Sequence, residues 1–296
     1  MIESISKYLQ QLESELKGCD RALIQDALSD AEEHLQTAVD KDLETAPGLS
    51  ESEALPPLIE RYGSPEETAS AYREIESRIS PGLASVRRQA EISPWRRFFG
   101  VLGEPRAWGA FFYMLLSGLT GMAYGLWAGF GFALSLISLI FIIGLPVSGL
   151  FLFSLRGVAL IEGRVVEALL GVRMPRKPLF AHKGLTWKGK FKALVTESHT
   201  WKSFGYMVLQ FPLGVVYFLL LLMLSSIALK CILFPFLKWF LHRPLLDLPH
   251  FALDVPWWGV PLISIGGIVL LSLILHMAKG IGSLHGRYAK SVLVRK

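Results

Sequence analysis

The sequence predicts an all-α, polytopic membrane protein with four transmembrane helices from a duplicated helical hairpin, preceded by a small cytoplasmic helical domain. Three observations predict this. Of 296 residues, 52% are hydrophobic and only 19% charged, and the mean hydropathy of +0.42 is above that of an ordinary water-soluble domain. The net charge of +5 hides a division: the first 80 residues carry 18 acidic and 7 basic side chains, the rest 7 and 23. Finally, the basic part contains uncharged stretches long enough to cross a bilayer, which takes roughly 20 residues per helix.

Residues 1–80 read as an acidic helical domain. Ile5, Leu9, Leu12 and Leu16 mark one helical face, and Ile24, Leu28, Ala31, Leu35 and Ala38 a second. Both follow the i, i+4, i+7 spacing of a buried stripe. Leu55, Leu58, Ile59 and Tyr62 give a short third helix that Gly63 can stop in a left-handed conformation. Ser64, Pro65 and Glu67 then supply the N-cap, N1 proline and N3 acid of a fourth, and Asp20 is placed to cap the second. The charged outer faces read as solvated surface.

A basic linker is expected over 81–103, then two membrane hairpins over 104–175 and 176–296. From Ala107 to Leu155 there are 49 residues without a charge, too many for one span. The glycine-rich stretch Gly125–Gly131 is the expected reversal, giving spans near 108–127 and 132–155, followed by 203–229 and 255–278. Lys and Arg gather before the first span, between the second and third, and after the fourth. That arrangement predicts a bacterial inner-membrane location with both termini cytoplasmic.

The hairpins are copies of one another. At a constant offset of 93, Glu104, Trp108, Phe111, Tyr113, Met114, Leu116, Gly121 and Tyr124 fall on Glu197, Trp201, Phe204, Tyr206, Met207, Leu209, Gly214 and Tyr217. At an offset of 123, Arg156, Gly157, Val158, Ile161, Gly163 and Arg164 match Lys279, Gly280, Ile281, Leu284, Gly286 and Arg287. The difference is an insertion near 230–256. With two spans per copy, the repeats are expected to be parallel.

No catalytic, cofactor or metal set is expected. Asparagine is absent from the chain, and the histidines show no paired spacing of the HExxH kind. The two cysteines, Cys19 and Cys231, are too few for a disulfide framework. The candidates are for interaction instead: the interfacial Trp108 and Trp201, the repeat-matched Arg164 and Arg287, and His276, read as the one ionisable residue well inside a span. The apparent lack of other buried charge argues against ion-coupled transport. Gly121, Gly125 and Gly129 form GxxxG steps that pack the two copies together or join two chains as a homodimer. In the insertion, Trp239, Trp257 and Trp258 suit the outer interface, as a lid or as a surface that reads a lipid or partner. The basic, aromatic loop Arg173–Lys202 is assigned to anionic lipid headgroups rather than nucleic acid.

Two resemblances follow from these residues. Tyr8 through Glu74, with Ala31-Glu32-Glu33-His34 and Arg61-Tyr62-Gly63-Ser64-Pro65-Glu66-Glu67, resembles the HAAS-type helical domain of bacterial membrane signalling proteins. Residues 104–290, with the paired Trp-x-x-x-x-Tyr starts, Ile143-Gly144-Leu145-Pro146, Phe211-Pro212-Leu213-Gly214 and Glu162-x-Arg164 ending in Leu169-Leu170-Gly171, are similar to the putative-sensor membrane module that precedes histidine kinases in some bacteria. The resemblances imply a non-enzymatic sensor or regulatory adaptor that couples an envelope or lipid signal to a protein partner through residues 1–80. The kinase itself is not expected, because its ATP site needs an Asn-bearing box. A transporter or lipid-handling protein, and a scaffold subunit of a membrane complex, are the alternatives.

Overall fold

The computed structural model describes residues 4–45, 50–79, 93–138, 140, 144–175, 187–242, 244–248, 251–253 and 255–294. The expected linker up to residue 92, and the middle of the basic loop over 176–186, lie outside these.

The N-terminal domain consists of α1 (Ile5–Glu15), α2 (Arg21–Thr45), α3 (Glu51–Tyr62) and α4 (Pro65–Ile79). Tyr8, Leu12 and Leu16 meet Ala27, Ala31, Leu35, Leu55, Leu58 and Ala69 in its core, with Ile5, Leu9, Ile24 and Leu28 packed around them. The ends are closed as the residue types require. Asp20 Oδ1 accepts from the Ala22 amide at 2.9 Å. Ser64 and Glu67 form a reciprocal capping box, at 2.9 and 3.2 Å. Gly63 takes φ +109°, a backbone region that costs only glycine little. Tyr8 ties α1 to the start of α4 through Gly63 O, at 2.9 Å, and Thr68 Oγ1, at 3.0 Å.

After the short α5 (Pro94–Gly100) come the long helices: α6 (Pro105–Ser138), α7 (Gly144–Leu170), α9 (Ser198–Ile232) and α11 (Val260–Leu293). These four, the last with its leading turn from Trp257, are long and apolar enough to cross a membrane. The helix α8 (Trp187–Thr196) precedes α9. The insertion holds α10 (Phe234–Leu241) and a two-stranded ribbon, β1 (Leu246–Leu248) with β2 (Phe251–Leu253), pairing Leu246 with Leu253. Among the described residues the fold is all-α apart from that ribbon.

Three expectations are corrected. The reversal is not at Gly125–Gly131: α6 runs through it to Ser138, because these glycines admit neighbours. A Cβ on Gly131 would lie 2.2 Å from the Phe151 ring, and one on Gly125 2.6 Å from Phe211 Cβ. Nor do the helices of the second and fourth spans end with the apolar runs at 155 and 278. They continue to Leu170 and Leu293, so the matched stretches 156–164 and 279–287 belong to the bundle.

The third correction concerns the copies. Contacts between α6 and α9 join Phe132 to Phe204, Gly125 to Phe211, Gly121 to Gln210 and Gly118 to Phe218. Residue numbers rise along one helix and broadly fall along the other, so the equivalent helices cross antiparallel, not parallel. A local twofold relates them. Positions 118 and 211 are equivalent at the offset of 93, as are 125 and 218, so the Gly118–Phe218 and Gly125–Phe211 contacts are one contact made twice. The physical reason is self-complementarity of the small positions: Gly121 of α6 admits the Gln210 backbone of α9, and its equivalent Gly214 of α9 admits the backbone of Ser117, the equivalent of Gln210.

Candidate functional site

The same twofold organises the polar groups. Trp108 Nε1 donates to Leu102 O and Trp201 Nε1 to Val195 O, both at 2.8 Å. Each copy begins with a glutamate that reaches into the other: Glu104 pairs with Lys279 at 2.6 Å, and Glu197 pairs with Arg156, which also donates to Thr200 Oγ1 at 3.2 Å. Lys279 and Arg156 are themselves repeat equivalents. Thus each copy's entry is tied to the second helix of the other.

At the centre of the seam lies a closed hydrogen-bonded ring. Tyr113, from α6, donates to Glu162 Oε1 on α7 at 2.7 Å, and Tyr206, from α9, reaches the same oxygen at 3.1 Å. Both hydroxyls also meet His285 Nε2 on α11, at 2.7 and 3.1 Å. Gln210 Nε2 donates to the Tyr113 hydroxyl at 3.2 Å. All are buried; Glu162 is 1% exposed and His285 3%. Tyr113 and Tyr206 are equivalent at offset 93, and Glu162 and His285 at offset 123. The ring therefore straddles the twofold, with a carboxyl group on one side where the other side has an imidazole.

Neither Glu162 nor His285 was singled out by sequence reasoning. Each falls inside the matched stretch 156–164 against 279–287, at a position where the copies differ, and matching by identity passed over it. His276, the ionisable residue of the fourth span and read as interfacial or helix-bridging, is exposed. Its Nδ1 is 2.9 Å from Ser272 O, and its ring stacks on Phe98 of α5 at 5.5 Å. The expected lack of buried charge is thereby corrected: Glu162 is a buried carboxyl group, carried by the part of α7 that extends beyond the apolar run.

The other candidates fall apart spatially. Gly121 contacts Gln210 O, with an added Cβ at 2.5 Å, whereas Gly129 has nothing within 4 Å. Arg164 is exposed and 3.3 Å from Glu167; Arg287 is exposed. Trp239, Trp257 and Trp258 are all exposed around the insertion, whose position is held by Lys238 donating to Val255 O.

The N-terminal domain meets this module at charged points. Asp20 Oδ2 pairs with Lys290, and Glu76 with Arg173. Between them a cavity of about 40 Å³ is lined by Gln25 of α2 together with Arg156, Glu197, His199 and Leu293 of the module, room for a water or two. Glu197 and Arg156 thus belong both to the seam and to the docking surface.

Four helices long and apolar enough to cross a membrane, with a helical domain packed against them, define a membrane protein of two parts. The chain belongs to the family described as Putative sensor, whose family model matches residues 113–293; the HAAS model matches residues 7–71 ahead of it. Both fit a sensory or regulatory role. No curated protein and no solved structure matches the chain.

Proposed function

We propose that this protein is a non-enzymatic sensor or regulatory adaptor of the bacterial inner membrane, in which the paired hairpins respond to an envelope or lipid condition and the HAAS domain passes the response to a protein partner. The observation that carries this reading is that the domain docks on the seam. Arg156 and Glu197 join the two copies, and with Gln25 of the domain they line one cavity. A shift between the copies therefore moves the groups on which the domain rests. The basic clusters before the first span and after the fourth favour the cytoplasmic side for both termini.

Affinity purification of the full chain from native membranes, beside the Lys290→Glu variant, tests the reading. The domain in the variant is repelled from its seat, so a protein partner is expected to be recovered in a different amount with wild type and variant. A defined lipid or small molecule copurifying equally with both, with no protein, would instead assign the chain to lipid handling or transport.

A further inference from the structure

We propose that the ring at the seam is a proton-binding site, that Glu162 is the group that takes up the proton, and that the proton is a signal this module reads. The inference rests on the sensing reading only in calling the proton a signal.

The argument begins with unmet hydrogen bonds. Glu162 Oε1 accepts from two tyrosine hydroxyls, yet Glu162 Oε2 is buried with no hydrogen-bond partner, and so is Gln210 Oε1. Both orphan atoms are acceptors, and the Tyr124 hydroxyl, the remaining donor that faces Glu162 among the described residues, leaves them without a hydrogen bond within 3.5 Å. Buried polar atoms are otherwise almost always paired. A proton from water adding to a lone pair of Oε2 forms an O–H, removes the negative charge and supplies a donor; no other bond changes.

The fixed positive charges around Glu162 are paired elsewhere. From α6 come Tyr113 and Tyr124, whose hydroxyl also interacts with Glu162. From α9 come Tyr206 and Gln210, with Tyr217 against the His285 ring; from α11 come His285 and, behind it, Tyr288. On α7 itself, Arg164 is engaged with Glu167 and Arg156 with Glu197, while Lys279 is held by Glu104 and Lys290 by Asp20. Among the described residues no lysine or arginine forms an ion pair with Glu162, and the one facing group able to carry positive charge is His285. A buried charge without a full partner disfavours close packing, so a neutral Glu162 closes the seam and a charged one loosens it. Because the equivalent position is His285, the seam holds one such carboxyl group, not two.

The test is hydrogen exchange of the full chain in nanodiscs, corrected for the intrinsic pH dependence of exchange. Between about pH 8 and about pH 5.5, the opening of α7 and α9 amides near the ring is expected to become rarer, with a limit of about tenfold per pH unit for one proton. Glu162→Gln is expected to be protected and flat over that range. Infrared difference spectra of the wild type, which need no variant to fold, are expected to show a buried carboxylic acid appear as pH falls. Wild-type exchange that is flat, a Glu162→Gln profile like that of wild type, or no such carboxylic acid overturns the site. Proton linkage with unchanged docking of the N-terminal domain upholds the site and removes the proton as the signal.

Discussion

At the scale of single residues, the seam is decided by what glycine leaves out. An added Cβ at Gly214 would stand 2.0 Å from Ser117 O, and one at Gly121 2.5 Å from Gln210 O. Both obstacles are backbone, which cannot swing aside. Gly214→Ala is therefore expected to lower the unfolding free energy in detergent by at least about 2 kcal/mol, as overpacking does. Gly129→Ala, into open space, should instead gain about 0.5–1 kcal/mol of helix propensity. Equal effects of the two would contradict the assigned seam. The glycine spacing was legible in the sequence, but which steps pack was not: GxxxG says that backbones can approach, and only the partner helix shows which glycine is approached. The ring was less legible still, since Glu162 and His285 differ in residue type, the property by which repeats are matched.

At the scale of elements, α4 is held to α2 by Tyr72, whose hydroxyl donates to Asp30 Oδ2 at 2.6 Å. Burial first, and the Asp30 carboxylate second, push the Tyr72 phenol above its ordinary value of 10.0. The sign follows: a group that binds its proton more tightly when folded contributes stability below about pH 10, and that contribution falls as pH rises beyond it. Protection of α4 amides in the full chain is expected to decline above about pH 10 in wild type and to decline less in Tyr72→Phe; identical profiles would show that the bond does not couple the helices. Here the sequence was informative. The Ser64-Pro65-Glu66-Glu67 start, the Gly63 stop and the Asp20 cap are local chemistry, and each appears as expected. Helix lengths in the membrane part were not, because a charge such as Arg156 ends an apolar run without ending a helix when a partner such as Glu197 receives it.

At the scale of the whole molecule, two layers of pairing meet: the copies hold each other through Glu104–Lys279 and Glu197–Arg156, and the acidic domain rests beside the second of these pairs through Asp20 and Glu76. The charge division between the two parts was plain in the sequence, and their docking is its spatial outcome; the residues that meet were not, since Asp20 and Lys290 are far apart along the chain. Asp20 serves twice, with one oxygen on the α2 amide and the other on Lys290. Asp20→Asn consequently keeps the cap, as asparagine caps well, and removes only the charge. The most direct measurement is zero-length carbodiimide crosslinking of the full chain in nanodiscs, read by mass spectrometry. The docked arrangement predicts an Asp20–Lys290 crosslink in wild type, and its loss in Asp20→Asn with the helical domain still folded. A wild-type chain that crosslinks elsewhere but never joins Asp20 to Lys290 would contradict the docking through which the sensor is held to act.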